Sequence, residues 1–355
     1  MIVFIFGTTA EAIKLAPIAR RLDARGIPYE CWLTLQHTTA LLGTLPDLGF
    51  PEPTHIIANS AEGKPLKNYG DVFRWLFQSG SWLLRNARTI KRRLPKNSII
   101  MVHGDTMTSV VGAGIARFIG VKCAHVEAGL RSGNWRHPFP EELDRRIVGK
   151  LAAVHYSPSD ESTQNLMPRK NIVETHGNTA IDAVLDQTGA HTQSEDKYGV
   201  VLLHRFELLA NPSLASETMK TLALESPLPF QMFVNEFSSS LTDQLPPVEA
   251  GKIIIRQKLG HEDFVTVLKS AEFVVTDSGG IQEEAALLGV PTLVHRKTTE
   301  RGEGLGANVL LSNWDIATMS TFLHNFEDYR RPALVPAKSP SDIVVDDLIS
   351  RGYGR

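Results

Sequence analysis

The sequence predicts an α/β protein with two doubly wound parallel sheets, and three observations lead to this fold class. Short apolar runs such as IVFIF and FVVT alternate with amphipathic segments of helical length, an order typical of repeated β-α-β units. The runs are apolar throughout, as in parallel strands that are buried on both faces. They fall into two groups separated by the polar residues 167–199, so we predict two Rossmann-like domains.

The individual elements follow from the same patterns. Strands are predicted at residues 2–6, 30–35, 98–103, 122–126, 153–157, 200–204, 231–235, 252–256, 272–276 and 291–295. Helices are predicted at residues 10–25, 72–94, 106–118, 143–152, 181–185 and 281–288. The predicted domains are residues 1–178 and 179–340, and residues 341–355 are predicted to form a helix that packs back on the first domain. Because ligands of doubly wound folds bind at the carboxyl ends of the strands, we expect a ligand cleft there that both sheets share.

Composition and charge narrow the class of protein. The 355 residues are 42% hydrophobic and 21% charged, and the net charge of −2 offers no general attraction to nucleic acid or to an anionic membrane. Two cysteines, Cys31 and Cys123, are too few for a disulfide framework, and no Cys/His cluster has metal-ligand spacing. No apolar stretch approaches the roughly 20 residues of a membrane span. We therefore expect a cytoplasmic protein without nucleic-acid or membrane partners.

The clearest candidate phosphate site is TDSGGIQEEA, residues 276–285, where a strand turns into a helix. Ser278 offers a hydroxyl, and Gly279 and Gly280 allow close approach to the free amides of a helix N-terminus, which favour an anion. Glu284, about one turn into the helix, could accept hydrogen bonds from a ribose diol. The alternative is an ordinary strand-to-helix turn with Asp or Ser as its cap. The chain has neither GxxxxGK[ST] nor GxGxxG, so neither ATP hydrolysis nor dinucleotide binding is favoured.

Polar residues also follow strands elsewhere in the chain. In FGTTAEAIK, Thr9 offers a hydroxyl, and Lys14 is either an exposed helix charge or a charge-stabilising group in a cleft. In VHGDTM, Asp105 is either a helix N-cap or an acid–base candidate. In VVLLHRFE, His204 and Arg205 end the first strand of the second group, where a lone histidine is either structural or catalytic.

The most ionisable stretch is HVEAGLRSGNWRHPFPEELDRR, residues 125–146. Glu127 directly follows a predicted strand, while Glu141 and Arg145 occupy neighbouring positions on one helix face. Several carboxylates beside cations could divide into acids and bases once a cleft excludes water. The alternative is a solvated loop. Asp182, in the polar stretch between the strand groups, is also expected to be solvated.

Together these motifs resemble those of the non-hydrolysing UDP-N-acetylglucosamine 2-epimerases. The family pattern reads FGTRPEAIK, VHGDTT, HVEAGLRTG…PWPEEANR, GNTVID, HRREN and TDSGGIQEEA…TTERPE. This chain reads FGTTAEAIK, VHGDTM, HVEAGLRSG…PFPEELDR, GNTAID, HRFEL and TDSGGIQEEA…TTERGE, in the same order over nearly its whole length. The resemblance implies a glycosyltransferase-B-type arrangement of the two domains. It also implies inversion at carbon 2 of a UDP-N-acetylhexosamine by elimination and re-addition of UDP, with no nicotinamide or metal cofactor, and a homodimer.

The resemblance also implies roles for individual residues. Asp105, Glu127 and Glu141 are implied to be the acid–base groups, and His204 is implied to stabilise the leaving diphosphate or to assist proton transfer. The implied substrate-binding residues are Thr9, Lys14, Arg145, Arg205, Phe264 near the uracil, Ser278, Gly279 and Gly280 on the phosphates, Glu284 on the ribose, and Arg301 at the nucleotide end.

The chain departs from the family pattern at two positions that bear on the substrate. Thr9 replaces the arginine of GTRPEA, which removes a permanent cation from the first turn, and Phe206 replaces an arginine of HRREN. These changes leave room for an altered sugar, such as a deoxy or uronic derivative. Two other functions stay open: a related nucleotide-sugar glycosyltransferase or hydrolase, and an inactive nucleotide-sugar-binding protein.

Overall fold

A computed structural model describes residues 1–36, 40–59, 69–131, 140–186, 197–235, 238–257, 259–299 and 301–354 of the chain. The chain divides into two compact units: unit 1 is Met1–Ala183 with Pro336–Arg355, and unit 2 is Val184–Val335. The first division falls after Ala183 rather than after residue 178, and the second falls after Val335 rather than after residue 340.

Unit 1 contains a parallel sheet of seven strands. These are β1 (Ile2–Phe6), β2 (Tyr29–Leu33), β3 (His55–Ile56), β4 (Ile99–His103), β5 (Lys122–Val126), β6 (Val154–Ser157) and β7 (Ile172–Glu174). Their order across the sheet is β3-β2-β1-β4-β5-β6-β7, which reverses direction at β1 and β4. The helices are α1 (Thr9–Ala24), α2 (Ala40–Thr44), α3 (Tyr69–Arg93), α4 (Met107–Ile119), α5 (Glu141–Leu151) and α6 (Asp160–Leu166).

Unit 2 contains a parallel sheet of six strands. These are β8 (Gly199–Leu202), β9 (Phe230–Val234), β10 (Ile253–Gln257), β11 (Phe273–Thr276), β12 (Thr292–Val294) and β13 (Val309–Leu311), in the order β10-β9-β8-β11-β12-β13. Helix α7 (Ala180–Leu185) crosses the boundary between the units. The other helices are α8 (Phe206–Leu209), α9 (Pro212–Glu225), α10 (His261–Ser270), α11 (Gly279–Leu288) and α12 (Ile316–Asn325), and two 3-10 turns span Ser239–Gln244 and Phe326–Tyr329.

The predicted fold class of two Rossmann-like doubly wound sheets is confirmed, and every predicted strand and helix is present within a few residues of its expected bounds. The prediction missed β3, β7 and β13, which have only two or three residues each. Such runs are too short to produce a recognisable apolar pattern.

Burial on both faces explains why the strands are apolar throughout. In β1, Phe4 and Phe6 pack into one hydrophobic cluster, whereas Val3 and Ile5 pack into another on the opposite face of the sheet. Each such side chain contributes about 1.5–3 kcal/mol when it is fully buried. No helix in the described part of the chain has the length and apolar character needed to cross a bilayer.

The C-terminal helix α13 (Pro340–Ser350) packs against α1 in unit 1. Its buried Val344, Val345 and Leu348 belong to the same hydrophobic cluster as the buried residues of α1. The expectation that Asp182 is solvated is wrong: it is 2% exposed and accepts a 2.7 Å hydrogen bond from the Ser341 amide at the start of α13. A buried carboxylate therefore anchors the returning helix.

Candidate active site

The turn from β1 to α1 is organised by a buried carboxylate. Thr8 is the N-cap of α1 and forms a capping box with Glu11, whose Oε2 accepts hydrogen bonds from the amides of Gly7 and Thr8 at 2.9 Å. The Thr106 hydroxyl donates to Glu11 Oε1 at 2.6 Å, which ties this turn to the one after β4. Burial raises the pKa of Glu11 to about 7, although these hydrogen bonds oppose the shift. Thr9 is the first residue of α1 and is half-buried.

Glu127 lies just beyond the end of β5 and is 7% exposed. Lys14 Nζ lies 2.8 Å from its Oε2, the side-chain amide of Asn178 donates to the same oxygen, and His103 Nε2 lies 3.6 Å away. Its backbone φ of 62° is in the left-handed region, which is costly for a residue with a side chain. A strained, buried carboxylate that contacts a lysine is typical of a functional site.

Asp105 lies in the turn between β4 and α4 and pairs with Arg145 of α5. The alternative that Asp105 is the N-cap of α4 is wrong, because Thr106 occupies that position and its hydroxyl accepts from the Ser109 amide at 3.2 Å. The carboxylate of Asp105 is therefore not engaged in capping, and α5 supplies its cation.

The neighbouring imidazole of His125 supports the turn that carries Asp105. His125 is 1% exposed, and its Nε2 lies 2.7 Å from the carbonyl oxygen of Gly104. Burial lowers the pKa of His125 to about 3, and the bond to Gly104 only partly opposes that shift. A neutral His125 therefore holds the turn through a hydrogen bond and adds no charge to it.

The first turn of α5 carries three acidic residues. Glu142 is fully buried, and Arg146 Nε lies 3.0 Å from it, with Arg145 and Arg131 at 3.7 Å and 3.9 Å. Glu141 is half-buried, and its buried Oε2 has no hydrogen-bond partner among the described residues. The solvated-loop alternative is therefore wrong for this part of the stretch, while residues 132–139 lie outside the described residues.

In unit 2 a buried carboxylate organises the end of β8. Asp277, 1% exposed, accepts hydrogen bonds from the backbone amides of His204 and Arg205 at 2.8–3.1 Å, and His204 Nδ1 lies 3.1 Å from its Oδ1. The His204 side chain remains 34% exposed. Asp277 can thus orient the imidazole. The sequence prediction did not single out Asp277.

The N-terminus of α11 has the features of an anion site. Ser278 occupies the N-cap position, but its side chain makes no capping hydrogen bond, and Gly279 and Gly280 are the first residues of the helix. A Cβ at Gly280 would meet only Ser278 Oγ at 3.9 Å, so the backbone here is open to a ligand. Free amides and the helix dipole favour phosphate at such a position.

The remaining predicted residues of unit 2, Glu284, Arg301 and Phe264, each contact a neighbouring side chain of that unit. Glu284 lies 2.8 Å from His261 Nε2, and Arg301 Nη1 lies 3.4 Å from Glu283. Phe264 is half-buried and packs edge-on against Phe233, with the ring centroids 5.1 Å apart.

The loop that carries Arg301 is fastened to α11 by Gln282. Its amide donates to the carbonyl oxygens of Arg301 and Glu303 at 3.1 Å and 3.3 Å, and its Oε1 accepts from the Thr299 hydroxyl at 2.8 Å. Glu300 lies outside the described residues. Gln282 thus sets the position of the Arg301 backbone relative to the helix that begins at Gly279.

A pocket of about 230 Å³ lies beside Asp277. Its lining includes Arg205, Arg296, Lys297 and Trp314 but not Ser278. Burial lowers the pKa of its His295 to about 4, and that imidazole is held by Thr218 at 3.0 Å and Ser312 at 2.9 Å. The pocket is therefore lined by three cations together with the carboxylates of Glu207 and Asp277, and Asp277 also contacts His204.

The structure brings the predicted residues together within each unit. In unit 1, Lys14 contacts Glu127 and Arg145 contacts Asp105; in unit 2, His204 and Arg205 adjoin the turn that carries Ser278. The prediction missed Glu11, Asn178, Asp277 and His261. Glu11 has a signal in the T-x-x-E capping box that it forms with Thr8, and Asn178 and Asp277 lie within the motifs GNTAID and TDSGGIQEEA.

Two doubly wound domains, one with paired carboxylates and one with an open helix N-terminus after a strand, define a class of enzymes that act on nucleotide-linked substrates. A family model described as UDP-N-acetylglucosamine 2-epimerase matches residues 78–320. The chain belongs to this family. It is 32% identical over 336 residues to the UDP-N-acetylglucosamine 2-epimerase of Campylobacter jejuni, covering 87% of this chain and 84% of the relative. It is also 32% identical to that of Bacillus subtilis, covering 86% and 81%.

Solved structures of the family match both units. The epimerase of Methanocaldococcus jannaschii in complex with UDP-GlcNAc and UDP has a TM-score of 0.76 at 25% identity and covers 99% of both chains. The epimerase of Neisseria meningitidis bound to UDP-GlcNAc also has a TM-score of 0.76, at 26% identity, covering 98% of this chain and 99% of that one. The predicted fold class of the glycosyltransferase-B type is thereby confirmed.

Proposed function

We propose that this chain inverts carbon 2 of a UDP-N-acetylhexosamine, converting UDP-N-acetylglucosamine or a close derivative into its manno epimer. A base removes the carbon-2 proton as the carbon-1–oxygen bond to UDP breaks, and a glycal forms. Protonation on the opposite face, with re-addition of UDP, completes the inversion. The observation that carries this proposal is Glu127, a buried carboxylate on strained backbone that contacts Lys14 and Asn178.

The acid–base set of unit 1 suits proton transfer at carbon 2. Carbon acids are weak, so the base needs a firmly held carboxylate, and the opposite face needs a second group that carries a proton. Asp105, Glu127 and Glu141 offer three carboxyl groups, of which two are paired with the cations Arg145 and Lys14. Those cations can also offset the negative charge that develops on the sugar and the diphosphate.

The nucleotide set of unit 2 suits a departing diphosphate. Ser278, Gly279 and Gly280 offer a hydroxyl and free amides to the phosphates. His204, oriented by Asp277, can donate to the bridging oxygen as UDP leaves. The three remaining assignments are Glu284 to the ribose, Phe264 to the uracil and Arg301 to the nucleotide end.

Two departures from the family pattern bear on which sugar is accepted. Thr9 provides a hydroxyl in place of a cation at the start of α1, and Phe206 is 79% exposed on α8 next to Arg205. The pocket beside Asp277 carries Arg205, Arg296 and Lys297. An apolar ring thus replaces one arginine of the family pattern, while these three cations remain. We therefore include a deoxy or uronic derivative among the substrates to be tested.

A homodimer and a cytoplasmic location complete the proposal. On α3, Phe73, Phe77 and Leu84 are 73%, 69% and 72% exposed and share one helix face, which a second copy of the chain could cover. We expect Phe77→Glu to convert a dimer into a monomer in light scattering, whereas Leu224→Glu, at an exposed leucine of unit 2, should not.

The buried free thiols of Cys31 and Cys123 suit a reducing compartment such as the cytoplasm.

The deciding experiment is incubation of the purified chain with a panel of UDP-sugars in deuterated water, followed by NMR. The proposed function requires deuterium at carbon 2 together with the appearance of the epimer. Acceptor-dependent release of UDP, or free hexosamine, without exchange at carbon 2 would instead indicate a transferase or a hydrolase. Tight binding of UDP-sugars without any turnover would indicate an inactive binding protein.

A further inference from the structure

Asp144 is a buried acidic residue beside the proposed acid–base set, and no role above uses it. It lies on α5, three residues after Glu141 and therefore on the same helix face. It is 6% exposed, and its Oδ2 is buried without a hydrogen-bond partner among the described residues. A buried carboxylate without donors is costly when charged, so such a group retains its proton to a higher pH.

The charged groups around Asp144 act in the same direction. Burial, followed by the negative charges of Asp105 and Glu141, raises the pKa of Asp144 to about 7. Arg145 pairs with Asp105 and also lies near Glu142, so it is shared between two carboxylates.

The elements packed against α5 do not supply a balancing cation among the residues that the structure describes. The one charged side chain of α4, Arg117, is exposed, and on β5 Lys122 is exposed while burial keeps the pKa of His125 low. Arg131 and Arg146 lie against the carboxylate of Glu142 instead. Among the described residues, Asp144 therefore has no cation of its own to compensate a negative charge.

We propose that Asp144 is a positioning residue that controls the charge of the acid–base set. When Asp144 is protonated, the set can accept an anionic nucleotide-sugar. When Asp144 has lost its proton, a further negative charge beside Asp105 and Glu141 opposes binding of that substrate. This inference rests on the proposed function. The family pattern PWPEEANR carries asparagine at this position, a neutral group of the same shape, whereas this chain carries a carboxyl that can lose a proton.

Asp144→Asn tests the proposal, because it removes the ionisation and keeps the shape. The KM for UDP-N-acetylglucosamine, or for the sugar that the panel identifies, should rise between pH 6 and pH 8 in the wild-type enzyme more than in the variant. We expect the ratio of wild-type to variant KM to grow by about fivefold over this range, while the ratio of kcat values changes less. Asp243→Asn, at an exposed aspartate of unit 2, should follow the wild-type profile at every pH.

A ratio of KM values that stays constant from pH 6 to pH 8 would overturn the proposal and leave Asp144 a structural residue. Should Asp144→Asn fail to fold, carbon-13 NMR of the aspartate carboxyl groups in the wild-type chain must show one that titrates near neutral pH. That titration should move to lower pH in Asp105→Asn, and no such signal would equally overturn the inference. If the wild-type chain exchanges no carbon-2 proton, the proposed function fails. The role of Asp144 can then still be tested by measuring the UDP affinity of the wild-type chain, Asp144→Asn and Asp243→Asn from pH 6 to pH 8.

Discussion

In unit 1 the candidate acid–base residues are held by side chains from distant parts of the chain, whereas in unit 2 the candidate phosphate site consists mainly of backbone amides at one helix N-terminus. Lys14 reaches Glu127, Arg145 reaches Asp105 and Asn178 reaches Glu127, so three strand-to-helix connections depend on one another. In unit 2, Asp277 accepts from the backbone of residues 204–205, and Ser278 begins the helix that offers free amides.

The difference suits the two tasks that the proposed reaction combines. Proton transfer needs carboxyl groups whose protonation is controlled, and a network of ion pairs and burial provides that control. Anchoring a diphosphate needs donors that do not change with pH, and backbone amides at a helix N-terminus are such donors. We therefore expect substitutions of the acid–base groups Asp105, Glu127 and Glu141 to affect chemistry more than binding, and substitutions at the α11 N-terminus to affect binding more than chemistry.

Glu127→Gln should produce the largest effect, on the rate of carbon-2 exchange. Loss of a firmly held acid–base group costs about 10²–10⁴-fold in rate, so carbon-2 exchange should fall by that factor. The dissociation constant for UDP, measured by calorimetry, should change by less than about threefold, because the nucleotide set is intact. Glu161→Gln, at an exposed glutamate of α6, should have normal exchange. A parallel loss of UDP affinity and exchange in Glu127→Gln would remove the functional distinction between the units.

Asp144 of unit 1 and His295 of unit 2 should make the stability of the folded chain depend on pH in opposite directions. Burial raises the pKa of Asp144 in the folded state to about 7, so its stabilising contribution is complete below pH 3.8 and is lost as pH rises through 7. Burial lowers the pKa of His295 to about 4, so its contribution is complete above pH 6.5 and is lost as pH falls through 4.

Between pH 5 and pH 7 each group should change the free energy of unfolding by about 2 kcal/mol, with opposite signs. Relative to the wild-type chain, Asp144→Asn should therefore gain melting temperature as pH rises from 5 to 7, while His295→Gln should gain as pH falls from 7 to 5. Calorimetric melting at the two pH values measures both. Slopes of the same sign would contradict the pKa shift given for Asp144 or for His295.

The two units also differ in how far the sequence predicts them. The turn at Ser278 was predictable because its chemistry is local: a strand, two glycines and a helix follow one another within ten residues. Asp277 lies in the same turn, but its partners at residues 204–205 become neighbours only because β8 pairs with β11 in the sheet. Nothing in the local pattern of either segment indicates that pairing.

In unit 1 the sequence identified the acidic residues but not their supports. Asp105 was ambiguous between a cap and an acid because either assignment fits one residue before a helix, and Thr106 takes the cap. Asp182 was expected to be solvated and Asn178 was assigned no role, yet both are held by partners from distant parts of the chain. Burial of a polar residue depends on tertiary packing, which hydrophobic periodicity does not report.

Gly280→Ala should produce the smallest effect, a loss of UDP affinity without a loss of stability. The added methyl group has room in the folded chain, where the nearest atom is Ser278 Oγ at 3.9 Å, and alanine suits the first turn of a helix. The chain should therefore melt at an unchanged or slightly higher temperature. A phosphate that approaches these amides would meet the methyl group, so the dissociation constant for UDP should rise by about tenfold, equivalent to about 1.4 kcal/mol.

The matched control for that change is Gly114→Ala, inside α4 of unit 1, where an added Cβ would meet nothing within 4 Å. It should leave UDP affinity as it is in the wild-type chain, because no residue of α4 is assigned to the nucleotide. Equal UDP affinity in Gly280→Ala and Gly114→Ala would mean that the phosphates do not approach the first turn of α11. The diphosphate would then have to be held by side-chain cations instead, of which Arg205, Arg296 and Lys297 around the pocket beside Asp277 are the next to substitute.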